Sequence, residues 1–269
     1  MSALTDGSDF DAQSQVYDAR TGVPPGVADL IARAVVDVTD AKSGDLVVEI
    51  GAGTGEIGLS LARASGRYLG IDRSQPMLTQ FRTRPGGAAQ WLLRADLAGR
   101  WPVEDGVAAV VFASRVVHLL DPDHVMRETR RICRVPGILI LGRVMRDPDS
   151  LKSVLRRQRR DLLQAAGYAV RDGEDGHRRV IAASIAAGGD HLGRQEVAEW
   201  IGSTTPATVI AEWEAIPRMG SVSPDPAIRD QILAELRQRI RADFGDLDRP
   251  VPFRERYVID VVRMVRTDG

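Results

Sequence analysis

The sequence predicts an α/β fold: a doubly wound, mostly parallel seven-stranded sheet with a helical insert covering the active site. Three observations carry that expectation. Apolar runs of strand length alternate with stretches of helical periodicity, and the connections between them are short. The run "VAAVVFAS" (Val107 to Ser114) is apolar on both faces, as in the middle of a parallel sheet. The stretch "VVEIGAGTGEIGLSLA" (Val47 to Ala62) passes from a buried strand into a glycine turn and then into a helix.

The elements follow in order. Val27, Leu30, Ile31, Ala34, Val35 and Val38 recur at helical spacing after Pro24 and Pro25, so an amphipathic helix starts there. "LVVEI" is the first strand and Gly55 to Ala64 the next helix. "YLGID" (Tyr68 to Asp72) is the second strand. Ser74 then caps a helix through Arg82, with Pro76 early, where its missing N–H does no harm. "AQWLLRAD" (Ala89 to Asp96) and Val107 to Ser114 are the third and fourth strands. Val125, Met126, Thr129, Ile132 and Cys133 share a helix face after "DPDH", and "GILILGRV" (Gly137 to Val144) is the fifth strand.

Beyond Arg146 the rhythm changes. A helix bears "RRQRR" (Arg156 to Arg160). Helices near 178–187, 207–214 and 227–244 follow, with a strand near 192–201 between the first two, and "RYVIDVVRMV" closes the sheet. The basic run reads as a solvated helix face, since no aromatic residues interleave with it. Recognition of an acidic substrate or of nucleic acid is its alternative.

Composition narrows the function. A chain of 269 residues has room for one large domain, or one domain with an elaborated insert. A net charge of −1 gives no global attraction to nucleic acid or to an anionic membrane. The single cysteine, Cys133, cannot form an internal disulfide, and its neighbours Ile132 and Val135 suggest a buried thiol. The first residues are polar and acidic, unlike a signal peptide, and no apolar run is long enough to span a bilayer. A cytoplasmic enzyme is the expectation. His118, His124, His177 and His191 show no metal-ligand spacing, so no metal is expected.

The glycine turn Gly51-Ala52-Gly53-Thr54-Gly55 lies at the carboxyl end of the first strand, where ligands bind in open parallel sheets. Bare main chain lets a ligand approach, and the next helix presents unpaired N–H groups. A dinucleotide turn would need a glycine where Glu56 stands, and a carboxylate there would repel a diphosphate. Glu49, Asp72 and Asp96 close three strands in turn. Together they form an acidic crevice suited to hydroxyls, an exocyclic amine and an ammonium group. S-adenosylmethionine offers all three.

These motifs resemble the class I S-adenosylmethionine-dependent methyltransferases, in the small-molecule branch similar to the ubiquinone/menaquinone methyltransferase group (type 11-like). "EIGAGTG", "GIDRSQPML", "RADL" and "VVFASRVVHLLDP" are similar to the family's successive motifs, and "FRERYVIDVVRM" to its closing strand. The resemblance implies S-adenosyl-L-methionine as cofactor and methyl transfer to a small molecule. It implies that Glu49 reaches the methionine ammonium, that Gly51, Ala52, Gly53 and Gly55 let the cofactor lie close, and that Asp72 takes the ribose hydroxyls. Arg73 and Met77 would flank the adenine. Asp96 and Leu97 would meet its edge, and Ser114 would line the sulfonium. "VYDARTG" is similar to a segment that folds over the cofactor, which would bring in Tyr17 and Arg20.

The implied organisation is a Rossmann-like core with an N-terminal helical segment over 1–146, a helical substrate cover over 147–250 around the sixth strand, and a closing strand over 251–269. Trp200, Trp213, Ile216 and Met219 are expected to give the cover an apolar wall. His118 is the candidate general base, with a packed histidine as its alternative. Glu49, Asp72 and Asp96 also fit plain turn or cap roles. Two other functions stay open: a catalytically silent module binding S-adenosylmethionine or S-adenosylhomocysteine, and a nucleotide-dependent oxidoreductase. The methyl acceptor and the oligomeric state are not legible.

Overall fold

In the computed structural model the described residues are 22–39, 44–87, 90–170, 173–215, 218–219 and 222–265. Tyr17, Arg20 and Ile216 lie outside them. The strands are β1 (Leu46–Ile50), β2 (Arg67–Asp72), β3 (Trp91–Arg94), β4 (Ala108–Ser114), β5 (Cys133–Arg146), β6 (Asp190–Thr204) and β7 (Val251–Met264). They lie in the order β3-β2-β1-β4-β5-β7-β6. The pairs from β3 through β5 are parallel. Chain order runs outward from β1 through β2 to β3, then returns to β1's other side at β4. The strand order therefore reverses between β1 and β4, the place where loops part and a crevice opens.

Every residue of β1 and β4 is buried, in keeping with sequences that are apolar apart from Glu49 and Ser114. The helices are α1 (Val27–Thr39), α2 (Gly58–Ser65), α3 (Gln75–Thr83), α4 (Pro122–Ile132), α5 (Leu151–Ala165), α6 (Gly173–Ala186), α7 (Pro206–Glu214) and α8 (Pro226–Phe244). Ser74 caps α3 by accepting from the Met77 N–H, and Asp121 caps α4 by accepting from His124 N. In α1, Val27, Ile31, Ala32 and Val35 are buried while Leu30 is exposed. Cys133 is buried, and burial pushes its thiol up to about 12. Among the described residues no helix is long and apolar enough to cross a membrane.

The chain forms two units. The first holds Met1–Arg143, Gly173–Ala198 and Tyr257–Gly269, and the second Val144–Asp172 and Glu199–Arg256. The segment 173–198, expected within the cover, groups with the first unit. The reason is packing: Val180 joins the sheet's apolar core, Ser184 Oγ donates to Met126 Sδ, and Gly176 lies so close to His118 that a Cβ would stand 2.5 Å from His118 Cα. The second unit has its own core, where Leu151, Leu155 and Leu163 of α5 meet Ile232, Leu236 and Ile240 of α8. Trp213 and Met219 belong to that core and are buried, so they are packing residues and form no open wall.

Candidate active site

A cavity lies at the β1/β4 reversal, where ligands bind in open sheets of this kind. Glu49, Gly51, Ala52, Gly53, Asp72, Arg73, Met77, Leu97 and Ser114 line it. These are nine of the residues singled out in the sequence.

The turn after β1 is pinned to β2. Gly51 N and Ala52 N both donate to Ile71 O, at 2.8 and 3.1 Å. Gly51 has φ +73°, and a Cβ there would stand 2.7 Å from the Val116 side chain. Gly53 has φ +54°, and its added Cβ would meet nothing nearer than 3.9 Å, so its main chain faces open space. Gly55 plays another part. A Cβ there would overlap the Phe81 ring, and Gly55 is not among the lining residues.

Asp72 ties the turn to the next helix. Its Oδ2 accepts from Gly53 N at 2.9 Å and its Oδ1 from Ser74 N at 2.8 Å. Burial raises its pKa, and these backbone N–H bonds oppose the rise. A carboxylate has about four acceptor sites, so capacity for a ligand hydroxyl remains.

Glu49 is more deeply enclosed. Tyr68 Oη donates to its Oε2 at 2.5 Å, and desolvation pushes its pKa up to about 8. Gly58, the first residue of α2, makes the space: a Cβ there would stand 2.5 Å from Glu49 Oε2 and would overlap Tyr68 Oη. At the tip of β4, Ser114 Oγ and Tyr257 Oη share a hydrogen bond of 2.7 Å. Burial raises the Tyr257 pKa, so the phenol stays protonated.

Two further lining residues, Arg115 and Glu56, pair with each other, and no role for Arg115 was legible in the sequence. Arg115 carries φ +60°, rare for a side chain other than glycine, and its Nη2 meets Glu56 Oε2 at 2.5 Å. Glu56 also accepts from Val23 N at 2.5 Å. The repulsion expected of Glu56 is therefore offset by a paired guanidinium. No linear pattern announces this pair, because the residues stand on different loops of the reversal.

Asp96 and His118 do not line the cavity. Asp96 is exposed and accepts from Ala98 N at 3.0 Å, the behaviour of a loop acid. His118 sits on a short 3-10 turn (Val117–Leu119). Its residue is solvent-exposed, yet the surrounding protein removes enough water to lower its pKa.

Comparison with known proteins agrees with this geometry. Residues 48–141 match a family model described as a methyltransferase domain. The demethylmenaquinone methyltransferase of Thermobifida fusca is 33% identical over 114 residues, which cover 40% of this chain and 48% of the relative. The chain spans between 32% and 48% of the curated relatives it matches. Among solved structures, geranyl diphosphate C-methyltransferase from Streptomyces coelicolor A3(2), with Mg2+, geranyl diphosphate and S-adenosyl-L-homocysteine bound, aligns with a TM-score of 0.51 at 14% identity, covering 98% of this chain and 89% of that one. The [4+2]-cyclase SpnF aligns with a TM-score of 0.57 at 18% identity, covering 97% and 95%. Over residues 48–141 this chain is therefore similar to a methyltransferase domain, and its strand order and glycine turn show the same Rossmann-like fold as the aligned structures.

Proposed function

We propose that the protein is an S-adenosylmethionine-dependent methyltransferase acting on a small-molecule metabolite by in-line methyl transfer. The observation that carries it is the open main chain of Gly51–Gly53 beneath a cavity flanked by the Asp72 and Glu49 carboxylates. When bound, S-adenosylmethionine supplies an already activated methyl group. Asp72 would hold its ribose hydroxyls, and Glu49, once ionised, its ammonium. Arg73, Met77 and Leu97 would flank the adenine, and Ser114, held by Tyr257, would face the reacting end. The protein's own contribution is then orientation and exclusion of water, which can supply ~7–11 kcal/mol.

Calorimetric titration with S-adenosylhomocysteine, and transfer of a labelled methyl group to a metabolite library, test the proposal. Saturable binding with turnover supports it. Stabilisation by NAD where S-adenosylhomocysteine gives none would overturn it.

One observation favours a second reading, a binding module without transfer: His118, the proton-transfer candidate, is not a lining residue. Tight cofactor binding with no turnover on any acceptor would select that reading.

A further inference from the structure

We propose that Glu49 makes the cavity selective for a ligand carrying an ammonium group, and that such a ligand enters in exchange for a proton released from Glu49. This exchange rests on the S-adenosylmethionine reading above and adds to it how the site tells a cationic tail from a neutral one.

Glu49 lines the cavity although it is only 3% exposed. Its Oε2 takes the Tyr68 hydroxyl at 2.5 Å, and a phenol brings no charge. Gly58 lets the two lie that close, since a Cβ there would stand 2.5 Å from the same oxygen. Among the described residues Glu49 makes no ion pair. The guanidinium on the same wall, that of Arg115, is engaged by Glu56 at 2.5 Å. A carboxyl group so enclosed, with a neutral partner and no counter-ion, is held as the uncharged acid, because an isolated buried charge is far costlier.

The groups that face Glu49 come from every side. Tyr68 and Asp72 belong to β2, Glu56 to the turn, Arg115 to the tip of β4 and Tyr257 to β7. Desolvation is the largest influence and favours the neutral acid, as do Asp72 and Glu56, while the Tyr68 hydrogen bond and Arg115 oppose it. Both phenols are raised by burial and stay protonated. An ammonium entering the cavity supplies the missing counter-charge. The acid O–H bond then breaks, its electron pair stays on the carboxylate, and the proton passes to solvent. A charge-assisted pair is left behind, and the enclosed site gains no net charge. A neutral tail offers no such compensation and leaves the proton in place.

Calorimetry on the full chain tests the exchange. S-adenosylhomocysteine is titrated at pH 7 in phosphate and in Tris, whose different ionisation heats count the protons released. About one proton per ligand is expected, and affinity should rise towards ~tenfold per pH unit between pH 6 and 7.5. The comparison ligand is the deaminated analogue, which keeps the ribose, the thioether and the carboxylate, so that any proton exchanged at Asp72 is common to both. The analogue should release about one proton fewer, and its disadvantage in affinity should shrink as pH falls. In Glu49→Gln that difference in proton release should vanish. The wild-type titrations decide the question even if the variant does not fold. Equal proton release by the two ligands, S-adenosylhomocysteine affinity that stays flat from pH 6 to 8, or a difference that persists in Glu49→Gln overturns the exchange and leaves the cofactor reading standing. Absence of S-adenosylhomocysteine binding overturns the cofactor reading, and the exchange with it.

Discussion

Tyr68 Oη donates to Glu49 Oε2 across 2.5 Å, and both side chains are shut away from solvent. Burial, against the opposing pull of that hydrogen bond, keeps a proton on Glu49 up to about 8, against an ordinary 4.5. An unfolded chain loses that proton much earlier. The stability this group contributes is complete below about 4.5 and is lost as pH rises through 8. The loss should be on the order of 5 kcal/mol. Urea unfolding of wild type and Glu49→Gln from pH 5 to 9 checks this: wild type should lose stability relative to the variant as pH rises. A difference that ignores pH would contradict it.

Gly58→Ala should destabilise the fold, although alanine is the better helix former by ~1 kcal/mol. The added methyl has nowhere to go beside Glu49 and Tyr68. Overpacking of this kind costs ~1–3 kcal/mol. A lower melting temperature, partly restored in Gly58→Ala/Tyr68→Phe, is the expected result.

Asp72 and Asp96 should separate cleanly. Asp72→Ala removes a lining carboxylate that also holds the Gly53 and Ser74 N–H groups, and should weaken S-adenosylhomocysteine binding by ~1–3 kcal/mol. Asp96→Ala touches an exposed loop and should change it by less than ~0.5 kcal/mol. Calorimetry on both variants decides, and equal losses would return Asp96 to the site.

Tyr257→Phe leaves the buried Ser114 hydroxyl without this partner. Chemical denaturation should show a loss of about 1–2 kcal/mol. Adding Ser114→Ala should cost less than its separate effect, because the two residues act as a pair.

Much of the fold was legible because it is written in apolar runs. β1 and β4 are buried throughout, and sequences apolar except at Glu49 and Ser114 say so. The long strands were harder. β5 was expected over 137–144 and spans Cys133–Arg146, with exposed or half-buried residues at both ends where no apolar pattern marks a strand. β6 extends to Thr204 with most of its residues partly or fully exposed. At the site, the glycine turn and residues at or just beyond the tips of successive strands were legible, and they line the cavity. Gly58, Tyr68, Tyr257 and Arg115 were not, because their roles depend on approach in space. Asp96 failed to reach the cavity for the converse reason: closing a strand does not fix where a short side chain turns.

Val116 presses on the turn at Gly51, leaving 2.7 Å for any Cβ that position might acquire. The bareness of the loop is thus inherited from a valine much further down the chain. Grafting the glycine motif onto a foreign scaffold would fail unless that downstream neighbour travelled with it. Within a lineage the two positions should drift together. Trimming the valine would lift the steric half of the constraint on the loop, and the positive φ would still hold the other half.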